Sequence, residues 1–420
     1  MTRTTASIAE QKSANQPYRA APFAVLAAAV FVVALGYGAI LPTLPGLLGT
    51  WLGEASGGEV ARYTGWLSGL YMFALFAFSP AWGALSDRIG RRPIILVGLA
   101  GYVGTLAAFH TFHTLPSLYA NRVLAGAFAS AVLPVTAAYI SDLDSAEQRL
   151  RWFALTGAAN SAGFLLGPAL SGFMTDAAEL NAVATFSLRN PAGLPVAAGA
   201  VLGALVWFAA YFVLPPPERR PALRAPRAEQ RPFSRRLYAL LGLTLLVMLG
   251  LATFEVGIAL AGQQAMYISM AQVTVLFMLC SGVMGVVQAL LFLRPSLQST
   301  LARHRTVTAG FVVLVAGFAW LSLSRHFYAL LGAAVIIAAA TGLLLPMLSQ
   351  LISTHSGPRA GTTLGLQSSA SSLGQGFGSV AGGWLFGWFA MSSFWLAAGV
   401  MAGGALLAAN VARMRATPWR

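Results

Sequence analysis

Charge is what this chain has least of. Only 9% of its 420 residues are Asp, Glu, Lys or Arg, against about 25% in a soluble domain, so it cannot cover a water-facing surface. Its single lysine, Lys12, lies in no phosphate-binding loop, which argues against ATP as an energy source. Its single cysteine, Cys280, excludes an intrachain disulfide and a multi-cysteine metal centre. His110, His113, His304, His326 and His355 all fall near the edges of apolar runs and suggest no site. Acids are rarer still inside those runs: Glu255 alone lies well within one. With no nucleophile–base or metal-ligand set inside the apolar segments, the chain does not read as an enzyme, and no cofactor or metal is expected.

Apolar length takes the place of charge. Hydrophobic residues make up 57% of the chain, and the mean hydropathy is +0.71. A membrane-spanning helix needs about 20 mostly apolar residues. Twelve such stretches are found, near 22–47, 64–82, 94–113, 117–140, 152–174, 195–214, 237–261, 268–293, 306–323, 327–352, 362–387 and 390–412. They are too long and too uniformly apolar for barrel strands, so the spacing predicts helices. The expected fold class is an all-α polytopic membrane protein.

The net charge of +14 could suggest a nucleic-acid partner, but its distribution excludes that. With the N-terminus inside, 22 of the 26 basic residues fall in inside segments. Arg62, Arg189 and Arg325 fall outside, and Arg122 lies within a span. That bias follows the positive-inside rule and puts both termini in the cytoplasm. The polar stretch 1–21 precedes a long span rather than a short signal-peptide core and reads as an uncleaved cytoplasmic tail. The expected location is the bacterial cytoplasmic (inner) membrane, with the lipid bilayer among its partners and the protein a monomer.

Residues 215–236 hold seven arginines, two glutamates and six prolines, and read as a cytoplasmic linker able to rest on anionic headgroups. The linker divides a six-helix bundle, 22–214, from a second at 237–413, with 414–420 a cytoplasmic tail. The halves correspond at a shift of 211: Ser161 falls on Ser372, Gly163 on Gly374, Gly167 on Gly378 and Gly172 on Gly383. Pro134 falls on Pro346 at a shift of 212. These matches put span 4 over span 10 and span 5 over span 11 in the same orientation. Two parallel six-helix bundles are predicted, an arrangement found among transporter folds built from parallel repeats.

Gly83-Ala-Leu-Ser-Asp-Arg-Ile-Gly-Arg-Arg-Pro93 is a tight charged turn between the second and third spans. It resembles the signature G-x-L-x-D-R-x-G-R-[RK] that major facilitator superfamily transporters carry in this place. The resemblance covers the chain from about residue 22. It is closest to the twelve-helix drug:proton antiporters, tetracycline exporters among them, to which Leu41–Leu48 and Gly157–Gly172 are also similar in order and placement. What it implies is a proton-coupled secondary exporter of a small amphipathic organic solute such as a drug or metabolite. An uncoupled facilitator or importer is the alternative, and a non-transporting membrane sensor a more distant one.

The resemblance also assigns roles. Asp87, Arg88 and Arg91 would form an inner gate with Asp142 at the end of span 4 and with the start of span 11; a plain topology signal is the simpler reading. In that loop, Asp144 and Glu147 read as solvated charge. Arg122-Val-Leu-Ala-Gly126 resembles R-x-x-[QA]-G, whose arginine is tied to proton coupling; the alternative is an arginine that snorkels to the interface. Gly163, Gly167, Pro168 and Gly172 are similar to the G-x-x-x-G-P signature of the exporter branch. Ordinary close helix packing by small residues is the alternative.

Glu255 is a functional candidate by position, since intramembrane acids usually are. It reads as the proton carrier or an anchor for a cationic solute, against a helix–helix bond. Tyr37, Tyr71, Asn160, Gln288 and Gln367 are candidates for the cavity wall, or equally for hydrogen bonds between helices. Two departures stand out. Tetracycline exporters carry an aspartate in the first helix, whereas residues 23–48 here contain no acid. The loop from Arg294 retains little of the charged-turn signature.

Overall fold

The structure, a computed structural model, describes residues 20–53, 57–111, 114–143, 146–180, 193–216, 234–264, 269–294, 304–354, 360–389 and 392–413. Twelve long helices and no strand occur among them. In chain order they are α1 (Ala20–Ile40), α2 (Gly57–Ile89), α3 (Arg91–Ala107), α4 (Leu115–Ser141), α5 (Ala146–Leu180) and α6 (Gly193–Val213). The second set is α7 (Arg235–Gln264), α8 (Met270–Leu293), α9 (His304–Leu323), α10 (Phe327–Thr354), α11 (Ala360–Phe386) and α12 (Ser392–Arg413). Ten helical segments are long and apolar enough to cross a membrane. In hydrocarbon every backbone N–H and C=O must be paired inside the segment, and only helices do so along an apolar run.

Local chemistry sets the ends. The first span is not one continuous helix: α1 passes through a 3-10 turn at Leu41–Thr43 into a further helical piece, Leu44–Leu52. Pro42 and Pro45 cause this, since each lacks an N–H donor and its ring crowds the preceding turn. The α2 helix runs on past its apolar stretch into the charged turn, and only Gly90 separates it from α3. Gly90 has φ +99°, a conformation that side chains disfavour, so the charged turn is one residue wide. At the start of α8, Ser269 accepts from the Gln272 backbone N–H at 3.3 Å while Gln272 Oε1 accepts from the Ser269 N–H at 3.0 Å. This reciprocal cap ties up two end donors.

The internal repeat is visible as packing. On α5, a Cβ at Gly163 would fall 2.7 Å from Ala34 Cβ on α1, and one at Gly167 would fall 2.7 Å from the Gly38 carbonyl carbon. On α11, a Cβ at Gly374 would meet the Leu245 backbone of α7, and one at Gly378 the Leu249 backbone. Each partner in the second half lies 211 residues beyond its counterpart in the first. Missing side chains thus let α5 lie against α1, and α11 against α7, backbone to backbone. Across the halves, Gly172 of α5 packs on Thr274 of α8, and Gly383 of α11 on Ala61 and Gly65 of α2.

Most of the 215–236 linker lies outside the described residues, as do residues 1–19 and 414–420; residues 20 and 21, expected in the tail, open α1.

Candidate functional site

The halves enclose a cavity of about 600 Å³ that reaches Arg91 and Asp142, at the end where the α2–α3 and α4–α5 turns lie. At the opposite end the halves are shut. There α2 and α11 meet through glycines: Gly58 against Gly387, Gly65 against Gly383 and Gly69 against Gly376. The open end is the one that carries Arg88, Arg91 and Arg92.

Of the sequence candidates for the wall, Tyr37, Tyr71 and Asn160 line this cavity. Gln288 and Gln367 are not among its lining residues. The Ser161 hydroxyl donates to Gln288 Oε1 at 3.3 Å, bridging α5 and α8. Gln367 Nε2 donates to Ser349 Oγ at 2.8 Å, bridging α11 and α10. Both therefore follow the helix–helix alternative. The α11 face of Ser368, Ser371, Ser372 and Gln375 lines the cavity and was missed. Their i, i+3, i+4, i+7 spacing marks one helix face, a signal the sequence carries although only Ser372 is singled out there, as a repeat match.

The charged turn forms a cluster at the cavity mouth. Arg91 Nη1 lies 2.5 Å from Asp87 Oδ1, and Arg91 Nε lies 3.2 Å from Asp142 Oδ2. Arg91 also donates to Ser86 Oγ at 2.5 Å. One guanidinium thus ties the end of α2 to the end of α4, within the first half. Asp87 is 64% exposed and Asp142 46%, so each pair is worth about 0–1 kcal/mol; both are weak enough to exchange partners. Arg88 is exposed. Arg359 before α11 and the Asp144 and Glu147 side chains lie outside the described residues.

Arg122 does not snorkel. It is 2% exposed, its Nη2 donating to Asn121 Oδ1 at 2.9 Å. Asn121 in turn donates to the Thr105 carbonyl at 2.8 Å, and the guanidinium lies 5.5 Å from the Phe109 ring centroid. No carboxylate pairs with it among the described residues. A narrow crevice lined by Tyr37, Ser68, Tyr71 and Arg122 adjoins the main cavity, with Tyr37 and Tyr71 lining both. These two rings, 5.1 Å apart, form the partition. The Tyr37 hydroxyl, Ser68 Oγ and Arg122 Nε are buried there without a hydrogen-bond partner.

Glu255 on α7 is half-buried and pairs with no described cation. It comes within electrostatic reach of Tyr37 and of Cys280 on α8. Tyr37 is within reach of Arg122 as well. The two membrane charges thus approach one tyrosine from opposite halves rather than meeting directly. Of the exporter-like glycine pattern, Gly163 and Gly167 pack on α1, Pro168 lies against Gly38, and Gly172 faces α8. No group of three or more potential ligands able to hold a metal occurs among the described residues.

Comparison with known proteins agrees with this architecture. Residues 26–297 match the Major Facilitator Superfamily. The chain is 33% identical over 192 residues to the class D tetracycline resistance protein of Salmonella ordonez, covering 45% of this chain and 44% of that protein. It thus spans less than half the length of that relative. Over a longer stretch, 374 residues, it is 26% identical to multidrug resistance protein 1 of Bacillus subtilis (strain 168), covering 86% of this chain and 89% of that one. In three dimensions it resembles the human organic anion transporter MFSD10 (TETRAN), with TM-score 0.69 and 21% identity over 94% of this chain and all of that one. The helical architecture and these likenesses identify an integral membrane protein, and the chain belongs to the Major Facilitator Superfamily.

Proposed function

We propose that this protein is a proton-coupled exporter of a small amphipathic organic solute, working by alternating access. The observation that carries the reading is the cavity itself: it lies between the halves, opens at the end of the charged turns and is sealed at the other. The positive-inside bias supports a cytoplasmic location for the open end. A solute enters there and leaves when α2 and α11 part. The similarity to proteins named for tetracycline and multidrug resistance supports efflux of a foreign or waste compound. In this reading Glu255 carries the proton, and Arg122 adjusts its hold through the tyrosine between them. Asp87, Arg88, Arg91 and Asp142 close the inner gate, and Tyr37, Tyr71 and Asn160 contact the solute. Coupling follows if proton and solute favour different facing states.

Reconstitution in liposomes tests this. Solute-dependent proton movement should occur in the wild type and vanish in Glu255→Gln with solute binding retained. Solute flux without proton movement, equal in both proteins, would show an uncoupled facilitator instead.

A further inference from the structure

The cavity has two walls that share a register but not a chemistry. On α5 it is lined by Phe153, Asn160 and Phe164, and on α11 by Leu364, Ser371 and Gln375. Each α11 residue lies 211 positions after its α5 counterpart. The first pair is apolar and the second polar on both sides. At the third, a ring on α5 faces the role that an amide takes on α11. Ser368 and Ser372 extend the polar wall on α11.

These groups are uncommitted. Serines within helices commonly return the hydroxyl to the carbonyl one turn back, as Ser322 and Ser349 do here. Ser368, Ser371, Ser372, Gln375 and Asn160 form no side-chain hydrogen bond with a described residue, although Ser372 is only 6% exposed. Across the cavity, Tyr37 packs with its ring centroid 5.1 Å from Tyr71 and 5.5 Å from Phe164. Its hydroxyl, on a side chain 4% exposed, has no partner. Of these, Ser372 and the Tyr37 hydroxyl are buried, whereas Ser371, Gln375 and Asn160 are half-buried and Ser368 is exposed. Leaving a buried polar group unpaired is costly, so the buried two favour an occupant that supplies a partner, and the others are open to bond with it. The charged residues among the cavity's lining, Arg91 and Asp142, pair with each other at the mouth.

We infer that α11 is the hydrogen-bonding wall of the cavity and the first half its ring-stacking wall, so that the cavity takes a neutral, flat ring system bearing its polar atoms along one edge. This rests on the cavity being the transport site. Aromatic rings on one side favour a planar apolar face. The four α11 side chains, on one helix face, can meet several donors and acceptors only if these lie on one edge of the solute. The absence of an unpaired charge in the wall disfavours ions.

Binding of 2,3-dihydroxynaphthalene and 2,6-dihydroxynaphthalene to the purified full chain, by titration calorimetry, tests the inference. The isomers share size, ring and neutrality but differ in whether the hydroxyls occupy one edge. The wild type should prefer the 2,3 isomer by about tenfold, the worth of one to two hydrogen bonds. Ser371→Ala/Gln375→Leu should abolish that preference, while Phe164→Leu should weaken both isomers alike. If the double variant does not fold, Gln375→Leu alone should cut the preference by roughly half or more. Equal wild-type affinities, no binding of either isomer, or a preference that survives the α11 substitutions would overturn the inference. A failure of export in liposomes with the isomer preference intact would instead count against the exporter reading.

Discussion

Gly65 on α2 packs against Gly383 on α11 so closely that a Cβ on Gly65 would fall 3.0 Å from Gly383 Cα and 2.7 Å from the Ser379 carbonyl oxygen. Both obstacles are backbone, which cannot rotate away. This contact at the closed end of the cavity therefore depends on two missing methyl groups. Gly383→Ala should cost the closed arrangement about 1–3 kcal/mol through overpacking, while sparing any state in which α2 and α11 have parted. In a Cys280→Ser background, spin labels at Arg62 and Trp388 should report a longer-distance population that the parent lacks. An unchanged distance distribution would mean that the seam yields without opening.

Arg122 is held by Asn121 and Phe109 rather than by a carboxylate. An arginine in the membrane costs about 2.5–3.5 kcal/mol at the bilayer centre, and no ion pair among the described residues offsets it. Arg122→Gln should therefore leave thermal stability in detergent unchanged or raised, while solute-driven proton movement falls at least tenfold. A fall of about 2 kcal/mol or more in stability would make the residue a structural support instead.

The Tyr37 hydroxyl is buried without a partner, and such a group costs about 1–3 kcal/mol. Tyr37→Phe removes the oxygen and keeps the ring packing on Tyr71 and Phe164. Its melting temperature should match or exceed that of the wild type, with proton coupling reduced several-fold. Equal coupling in both proteins would show that Glu255 and Arg122 do not act through this hydroxyl.

Arg91 ties Asp87 to Asp142, yet both carboxylates face solvent, where such pairs are worth about 0–1 kcal/mol and weaken in salt. Arg91→Ala should cost under about 1 kcal/mol of stability and still slow transport several-fold. In this variant, raising the salt concentration should have less effect on the rate than in the wild type. Loss of folding would assign the turn a structural role beyond gating.

The helices were legible because a bilayer leaves an apolar run one way to satisfy its backbone. The packing of α5 and α11 was legible for a related reason: Gly163 and Gly374 are spaced by the same 211 residues as their contacts. Side-chain direction was harder to read. Asn160, Gln288 and Gln367 are similar amides in similar apolar surroundings, yet one lines the cavity and two bridge helices. That choice turns on the rotation of each helix about its axis, which its neighbours set. The break at Pro42 was readable in principle, since proline cannot donate to the turn before it, but the surrounding apolar run concealed it. For Arg122 the sequence left burial and snorkelling both open, because what holds it inward comes from elsewhere: the Phe109 ring lies against it and the Thr105 carbonyl accepts from its partner Asn121.

Three faces of α11 have distinct tasks. Gly374 and Gly378 lie on α7, Gly376 and Gly383 on α2, and Ser368, Ser371, Ser372 and Gln375 on the cavity. Changes on the cavity face disturb neither glycine contact. Under selection by a new compound, single substitutions there can redirect cargo choice while the moving parts need no compensating repair. Diversification should accordingly be cheap on that stripe and costly one helical step to either side.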